Sequence, residues 1–374
     1  MSVVGKARHV LQVCHGYDGP FLDCARQYAA LFDGTDYQVT TVFLTGKADP
    51  QVAEQCHSAE VIFMGYGSAD IRRLKLKAIR ELRQIALNHN FSFCIAHRSK
   101  PTYIARLATD LAVIGVYHAF GDFQRPSRRL FARAFHKRLH LLAVSDAVRE
   151  DIRRCLPGWP VERIQTLHNR INVAAVCSDQ IERSEARAAL NLAEDAWVVG
   201  NVGRLHPDKD QATLLKGFAR ALPDLPAEAL LVILGTGRLE AKLKSLSETL
   251  GIADRVLFKG QVPHARRYFK AFDVFALTSD HEPFGMVLLE AMAAGNKLIC
   301  SDCGGGPEVV GSTGHFFPLG DEAALSQVLL QCYSASDDQA SRLVEQTRER
   351  LAALFSDVSA QQQFWALPMM AAYK

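Results

Sequence analysis

Two glutamates with seven residues between them, Glu282 and Glu290, frame the stretch whose chemistry organises the chain: Thr278 to Gly295 reads TSDHEPFGMVLLEAMAAG. From Met286 to Ala294 every residue except Glu290 is apolar and most are strong helix formers, while Gly295 suits the position that stops a helix. An ionised carboxylate in such a run is costly unless something hydrogen-bonds it, and a ribose diol would do so. Glu282 precedes the helix in a short polar turn, where its carboxylate can reach a second part of the same ligand. The amides that follow it, around Phe284, Gly285 and Met286, are unpaired first-turn donors whose partial positive field suits a phosphate. The plainer alternative is a core helix carrying one paired or snorkelling glutamate.

Other candidate groups lie at strand ends. Arg204 and Lys209 flank the turn His206-Pro207-Asp208, and two cations on such a turn suit a pyrophosphate. A turn salt-bridged to Asp208 or Asp210 is the alternative. Gly235-Thr236-Gly237 permits close approach of backbone to a ligand, although any tight strand-to-helix turn uses the same pattern. Gly260-Gln261-Val262-Pro263 would leave main-chain groups for a nucleobase, and Cys303 to Pro307 is a glycine loop built for tight turning or close approach. His97 and His118 each follow an apolar run. A neutral imidazole there can accept or orient a proton, or serve only as a structural hydrogen bonder.

The elements that must position these groups alternate between strand and helix. Strands are expected at 9–14, 37–43, 61–64, 91–96, 113–117 and 141–144, with helices at 21–32, 71–88, 102–111, 126–140 and, capped by Ser145, 146–155. After a more polar stretch, with a charged helix around 181–190, the alternation restarts. Strands are expected at 198–202, 229–234, 256–259, 274–277 and 298–301, with helices at 211–222 and 239–250. This pattern predicts an α/β chain of two parallel, doubly wound halves with ligands at the carboxyl ends of the strands. The domains are expected at 1–172 and 173–354. The segment 355–374, whose Phe364 and Trp365 need burial, is expected to return to the first.

The chain has 374 residues, enough for two cores, and a formal net charge of +3, too small to imply nucleic acid. Charge is uneven. Between Asp70 and His140, fifteen Lys and Arg, Arg73 among them, face four acids, which favours an anionic partner such as a lipid surface or acidic glycolipid. Nine scattered cysteines argue against a disulfide framework and for a reduced, cytoplasmic setting. No apolar run is long enough for a signal peptide or a membrane span.

Taken together, Gly203-Arg204 through Lys209-Asp210, Gly235-Thr236-Gly237, Ser279 through Glu290 and Ser301-Asp302 through Val310 resemble the family-4 retaining glycosyltransferases of GT-B fold. The E-x7-E spacing of Glu282 and Glu290, with Phe284-Gly285 between them, is the family's. The first half is similar in outline, with Gly16 and Gly19 in the loop His15 to Pro20, His118 after a strand and Ser145 before a helix. The resemblance implies two Rossmann-like domains facing a cleft and transfer of a hexose from a nucleotide-sugar donor. It assigns Glu290 to the donor ribose, Arg204 and Lys209 to the diphosphate and Glu282 to the donor sugar. Gly16 and Gly19 would approach the phosphates, and His118 would lie beside the transferred sugar. UDP-glucose is the expected donor, with GDP-mannose and ADP-heptose open. The expected acceptor is a glycan or glycolipid of lipopolysaccharide-core type, met at the inner face of the membrane.

No cofactor or metal is expected, because fixed cations and helix amides would stabilise the leaving diphosphate, and no Asp-x-Asp cluster is expected to be present to hold one. Departures from the family pattern are Asn296-Lys297, where a proline is usual at 297, and Arg170, which is expected to enter the donor site. The competing readings are a nucleotide-sugar epimerase or phosphorylase of the same architecture and a non-catalytic nucleotide-sugar-binding scaffold. A dinucleotide oxidoreductase is disfavoured, since neither glycine cluster completes GxGxxG with an acidic residue closing the next strand.

Overall fold

The structure, a computed structural model, describes residues 8–19, 21–67, 69–72 and 74–374; Pro20 and Arg73 of the readings above lie outside them. It comprises two compact units, residues 1–168 with 357–374, and residues 169–356. The division falls slightly outside the expected 172 and 355. The amide of Ile171 bonds the carbonyl of Phe355, and the Asn172 side chain accepts from the Ala175 amide to cap the next helix, so both belong to the second unit.

The first unit carries seven parallel strands: β1 (Arg8–Cys14), β2 (Tyr37–Thr45), β3 (Glu60–Tyr66), β4 (Phe91–His97), β5 (Val113–Tyr117), β6 (Leu139–Ala143) and β7 (Ile164–Thr166). Their order is β3-β2-β1-β4-β5-β6-β7, so the direction of winding reverses between β1 and β4. Central parallel strands are covered on both faces and read as near-continuous apolar runs. Val10, Leu11 and Val13 of β1 are fully buried, and so is the polar exception between them, Gln12. The chain's last segment packs on this unit: Phe364 and Trp365 each meet the Phe32 ring at 5.7 Å, and the Trp365 indole donates to the Leu31 carbonyl.

The second unit has six parallel strands: β8 (Val198–Val202), β9 (Leu230–Leu234), β10 (Val256–Phe258), β11 (Val274–Leu277), β12 (Lys297–Ser301) and β13 (His315–Phe317). Their order, β10-β9-β8-β11-β12-β13, places the reversal between β8 and β11. Its core joins Val199, Leu231, Val274 and Ile299 of the sheet to Leu214, Phe218 and Leu325 of the covering helices.

Two expected helices are shorter than their sequence pattern. The basic helix begins at Leu76 rather than 71, because Lys75 adopts a left-handed backbone (φ 57°) that no helical residue shares. The Arg-rich helix ends at Ala134, and Leu139–Ala143, expected to begin only at 141, is instead the strand between β5 and β7. There Leu139, Leu141 and Ala143 gain ladder hydrogen bonds and burial that a longer helix would forgo.

Candidate active site

Ligands of doubly wound sheets lie beyond the carboxyl ends of the strands, where the winding reverses. In the second unit that point brings together the loops after β8 and β11. Asp280 donates its amide to the Asp208 carbonyl at 3.0 Å, and the Thr278 hydroxyl donates to the Lys209 carbonyl at 2.9 Å. Between these ties the Lys209 ammonium meets the Glu282 carboxylate at 2.6 Å, with side chains only 19% and 12% exposed. The Ser279 hydroxyl adds a longer contact to the same carboxylate oxygen, at 3.4 Å. A short ion pair this sheltered from water is held far more firmly than a surface pair.

Glu282 also lies at the start of the helix Met286–Ala294: its Cγ is about one van der Waals contact, 3.5 Å, from where a side chain on Gly285 would begin. The first turn of that helix offers a partial positive field that suits an anionic ligand. Phe284 is buried against the Phe355 ring at 5.7 Å, Gly285 is the residue preceding the first turn, and Met286 is half-buried within it. Glu290 is half-buried on this helix, while its neighbours Leu288, Leu289, Ala291 and Met292 are buried. Its backbone carbonyl accepts from the Gln180 amide at 3.1 Å.

Arg204 is the exposed cation of the group, its side chain 71% accessible and 3.5 Å from Asp208. Asp208 also bonds His206. Burial works against the charged form of Asp208, but the His206 hydrogen bond and the charges of Lys209, His206 and Arg204 hold its carboxyl below the usual range. Asp208 and Asp210 do have the Asp-x-Asp spacing that the sequence reading passed over. Both are engaged within the loop, Asp210 accepting from the Thr213 hydroxyl at 2.6 Å and its amide at 3.4 Å.

The glycine loops have defined neighbours. A side chain on Gly235 (φ 139°) would begin 1.9 Å from the Gly203 carbonyl oxygen, and the Gly235 amide donates to the Gly260 carbonyl at 2.7 Å. This knots the ends of β8, β9 and β10 together beside the half-buried Val262. Gly304 and Gly305 press on the backbone of Glu282 and Pro283, and the Gly305 amide donates to the Glu282 carbonyl at 2.7 Å. Close approach is therefore real in this loop, and what it approaches is the loop carrying Glu282. The departures at 296 and 297 are structural: the Asn296 amide donates to the Phe269 and Phe272 carbonyls, and the Lys297 ammonium to the Cys332 carbonyl. Arg170, expected at the donor site, is buried, only 1% exposed.

In the first unit, Gly16 follows β1, and a side chain there would begin 2.6 Å from the Thr45 hydroxyl oxygen. Gly19 is exposed with open space around it. His118, following β5, is half-buried with its Nε2 3.2 Å from His97 Nδ1. His97 in turn lies 3.4 Å from Gln12 through Nε2, and Gln12 bonds Thr41 and the Ala25 carbonyl. Gln12 has a role the sequence reading missed, and its signal was present: a lone amide inside an apolar central strand.

Burial first, then the Arg98 charge, pushes the His118 imidazole from its usual 6.5 down to about 4. His140 is pushed to about 4 by burial and the charge of Arg163. The unfolded chain takes up these protons near 6.5, whereas the folded chain refuses them until about 4. Stability from these two groups is thus complete above 6.5 and is lost as pH falls toward 4. Urea titrations across that range should show the midpoint falling with pH, and the slope should flatten in His140→Phe. An unchanged slope in the variant would assign the loss to other groups.

Comparison with known proteins identifies the lineage. Residues 24–175 match the model for Glycosyltransferase Family 4, and residues 182–350 match Glycosyl transferases group 1. The chain belongs to the group 1 and family 4 glycosyltransferases. A curated member, the lipopolysaccharide core biosynthesis glycosyltransferase LpsE of Rhizobium meliloti (strain 1021), is 34% identical over 173 residues, 46% of this chain and 49% of that protein. In such matches the chain spans about half the length of the curated relative. A glycosyltransferase from Rickettsia africae ESF-5 shares the fold over 99% of this chain and 100% of its own, with TM-score 0.83 and 14% identity. Anabaena Alr3699/HepE, solved in complex with UDP-glucose, matches over 95% of this chain and 97% of its own, with TM-score 0.75 and 20% identity. The fold of this glycosyltransferase-family chain is thus GT-B, two Rossmann-like α/β domains.

Proposed function

We propose that the chain is a retaining glycosyltransferase moving a hexose from UDP-glucose to a glycan acceptor of lipopolysaccharide-core type, without a metal. The observation that carries the reading is the sheltered Lys209–Glu282 pair at the winding reversal of the second sheet, beside the first turn of the helix bearing Glu290. Breaking a sugar–phosphate bond develops positive charge on the anomeric carbon and negative charge on the leaving diphosphate. Lys209, Arg204 and the helix amides offer fixed positive charge to the diphosphate, Glu282 faces the sugar, and Glu290 holds the ribose. His118 lies beside the transferred sugar; as a neutral and weak base it orients a hydroxyl rather than stripping its proton. Gly16 and Gly19 shape the first loop beside the phosphates, Val262 lies where a base meets main chain, and Gly235 keeps that end of the sheet closed.

Two relatives support the finer choices. HepE was solved with UDP-glucose, and LpsE is named for lipopolysaccharide core biosynthesis. Among the described residues no helix is long and apolar enough to cross a membrane. Contact with the membrane surface is therefore proposed as peripheral, through the exposed Leu74, Leu76 and Leu130 set among Lys and Arg.

Thermal shift with UDP-, GDP- and ADP-sugars tests the donor site. UDP-glucose should stabilise the wild type, and Glu290→Ala should weaken its binding by roughly 10- to 100-fold, the loss of one or two charge-assisted hydrogen bonds. Release of UDP should require a glycan acceptor and survive EDTA. Turnover of donor alone would favour an epimerase, and absence of any shift would favour a scaffold.

A further inference from the structure

The buried polar chain in the first unit determines which nitrogen of His118 carries its proton. Gln12 Nε2 donates to the Ala25 carbonyl at 3.0 Å and to the Thr41 hydroxyl oxygen at 2.9 Å. A carbonyl can only accept, so Ala25 fixes which end of the Gln12 amide is nitrogen. Gln12 Oε1 therefore faces His97 Nε2, 3.4 Å away, and only a protonated ring nitrogen can donate to it. In a neutral imidazole, Nδ1 is then the lone-pair nitrogen. Nδ1 of His97 lies 3.2 Å from His118 Nε2, which must supply the hydrogen. The two rings meet edge to edge, with centroids 5.5 Å apart and planes at 24°, so both nitrogens lie close to the line between the ring centres, as an in-plane N–H···N bond requires. The Tyr28 ring meets His97 edge-on at 4.7 Å and blocks it from turning. Thr41 is tied in its turn to Ser58 at 2.7 Å.

We propose that Gln12 and His97 are positioning residues that hold His118 in its Nε2–H tautomer, so that Nδ1 is the nitrogen offered to a ligand, as an acceptor for a sugar hydroxyl. The opposite tautomer would present an N–H and select for a ligand oxygen without a proton, so the network decides the polarity of the contact. Burial keeps the ring neutral, which preserves that acceptor throughout the physiological range. This inference rests on the reading above only in giving His118 a sugar to face; the tautomer itself does not depend on it.

Side-chain nitrogen resonances of the full chain, labelled with 15N-histidine, test it directly, with His118 assigned by the signal lost in His118→Gln. The wild type at neutral pH should show a protonated Nε2 and an unprotonated Nδ1. Gln12→Leu should move both nitrogens toward tautomer-averaged positions and lower kcat by roughly tenfold, with donor KM unchanged. His97→Gln, whose amide can still accept from Nε2–H, should retain most of the wild-type pattern. A wild-type His118 protonated on Nδ1 overturns the proposal, and so does a folded Gln12→Leu protein with an unaltered His118 spectrum. The wild-type spectrum decides the tautomer even where a variant fails to fold. The expected tautomer in a protein whose turnover ignores His118→Gln supports the network and overturns the catalytic reading of His118 instead.

Discussion

Lys209→Ala should lower kcat by roughly 10²- to 10³-fold while raising donor KM much less, the signature of charge supplied mainly to the leaving group in the transition state. The ammonium sits 2.6 Å from Glu282 and is largely shielded from solvent, so its charge is already in place before a ligand arrives. The same substitution leaves the Glu282 carboxylate, 12% exposed, without that partner, and should cost about 1–3 kcal/mol of stability. The two effects can be separated. Replacing both members, as Lys209→Met with Glu282→Leu, removes the stranded charge and should recover much of the stability but none of the turnover. Steady-state kinetics with chemical denaturation on the single and double variants would read both. Wild-type kcat in Lys209→Ala would remove its role in departure of the diphosphate.

Gly304→Ala should destabilise the second unit by about 2–4 kcal/mol, a loss of roughly 5–15 °C in Tm for a unit of this size. Its φ of 68° is left-handed, and the new Cβ would start 2.5 Å from the Glu282 carbonyl oxygen and 3.2 Å from the Glu282 nitrogen. Both loops are fixed at that point by the Gly305–Glu282 hydrogen bond, so neither can yield without moving Glu282 away from Lys209. Gly320→Ala is the control: its φ is 78°, yet nothing lies within 4 Å, and it should cost only the backbone strain, about 1 kcal/mol. Calorimetry on both variants decides the matter. Equal losses would mean that the approach of the two loops contributes nothing. A Gly304→Ala protein that stays folded should also show reduced turnover, because the carboxylate is displaced.

Much of this molecule was legible in local pattern. Apolar runs interrupted by helix-forming stretches gave away both parallel sheets. The strand Val274–Leu277 and the helix ending at Gly295 were readable to the residue, because burial on both faces and a glycine stop leave few alternatives. The E-x7-E spacing, with its cations at Arg204 and Lys209, marked the second unit's candidate site.

What could not be read were relations between distant residues. Lys209 and Glu282 are 73 positions apart and meet only because β8 and β11 are neighbours at the reversal of the sheet. Strand order is a property of packing, to which a periodic pattern is blind. The same limit hid the purpose of the glycine loop at 303–307 and the partners of Gln12 in β1. It also stretched the Arg-rich helix across Leu139, where helical periodicity continued but pairing with β5 and β7 won. Sequence by itself determined most of the elements, the family and the inventory of charges, but not the short edge strands β7 and β13, which only pairing with β6 and β12 creates. Tertiary structure decided which charges face one another and which tautomer His118 holds, since electrostatic and hydrogen-bond energies depend on distances that only the folded sheets create.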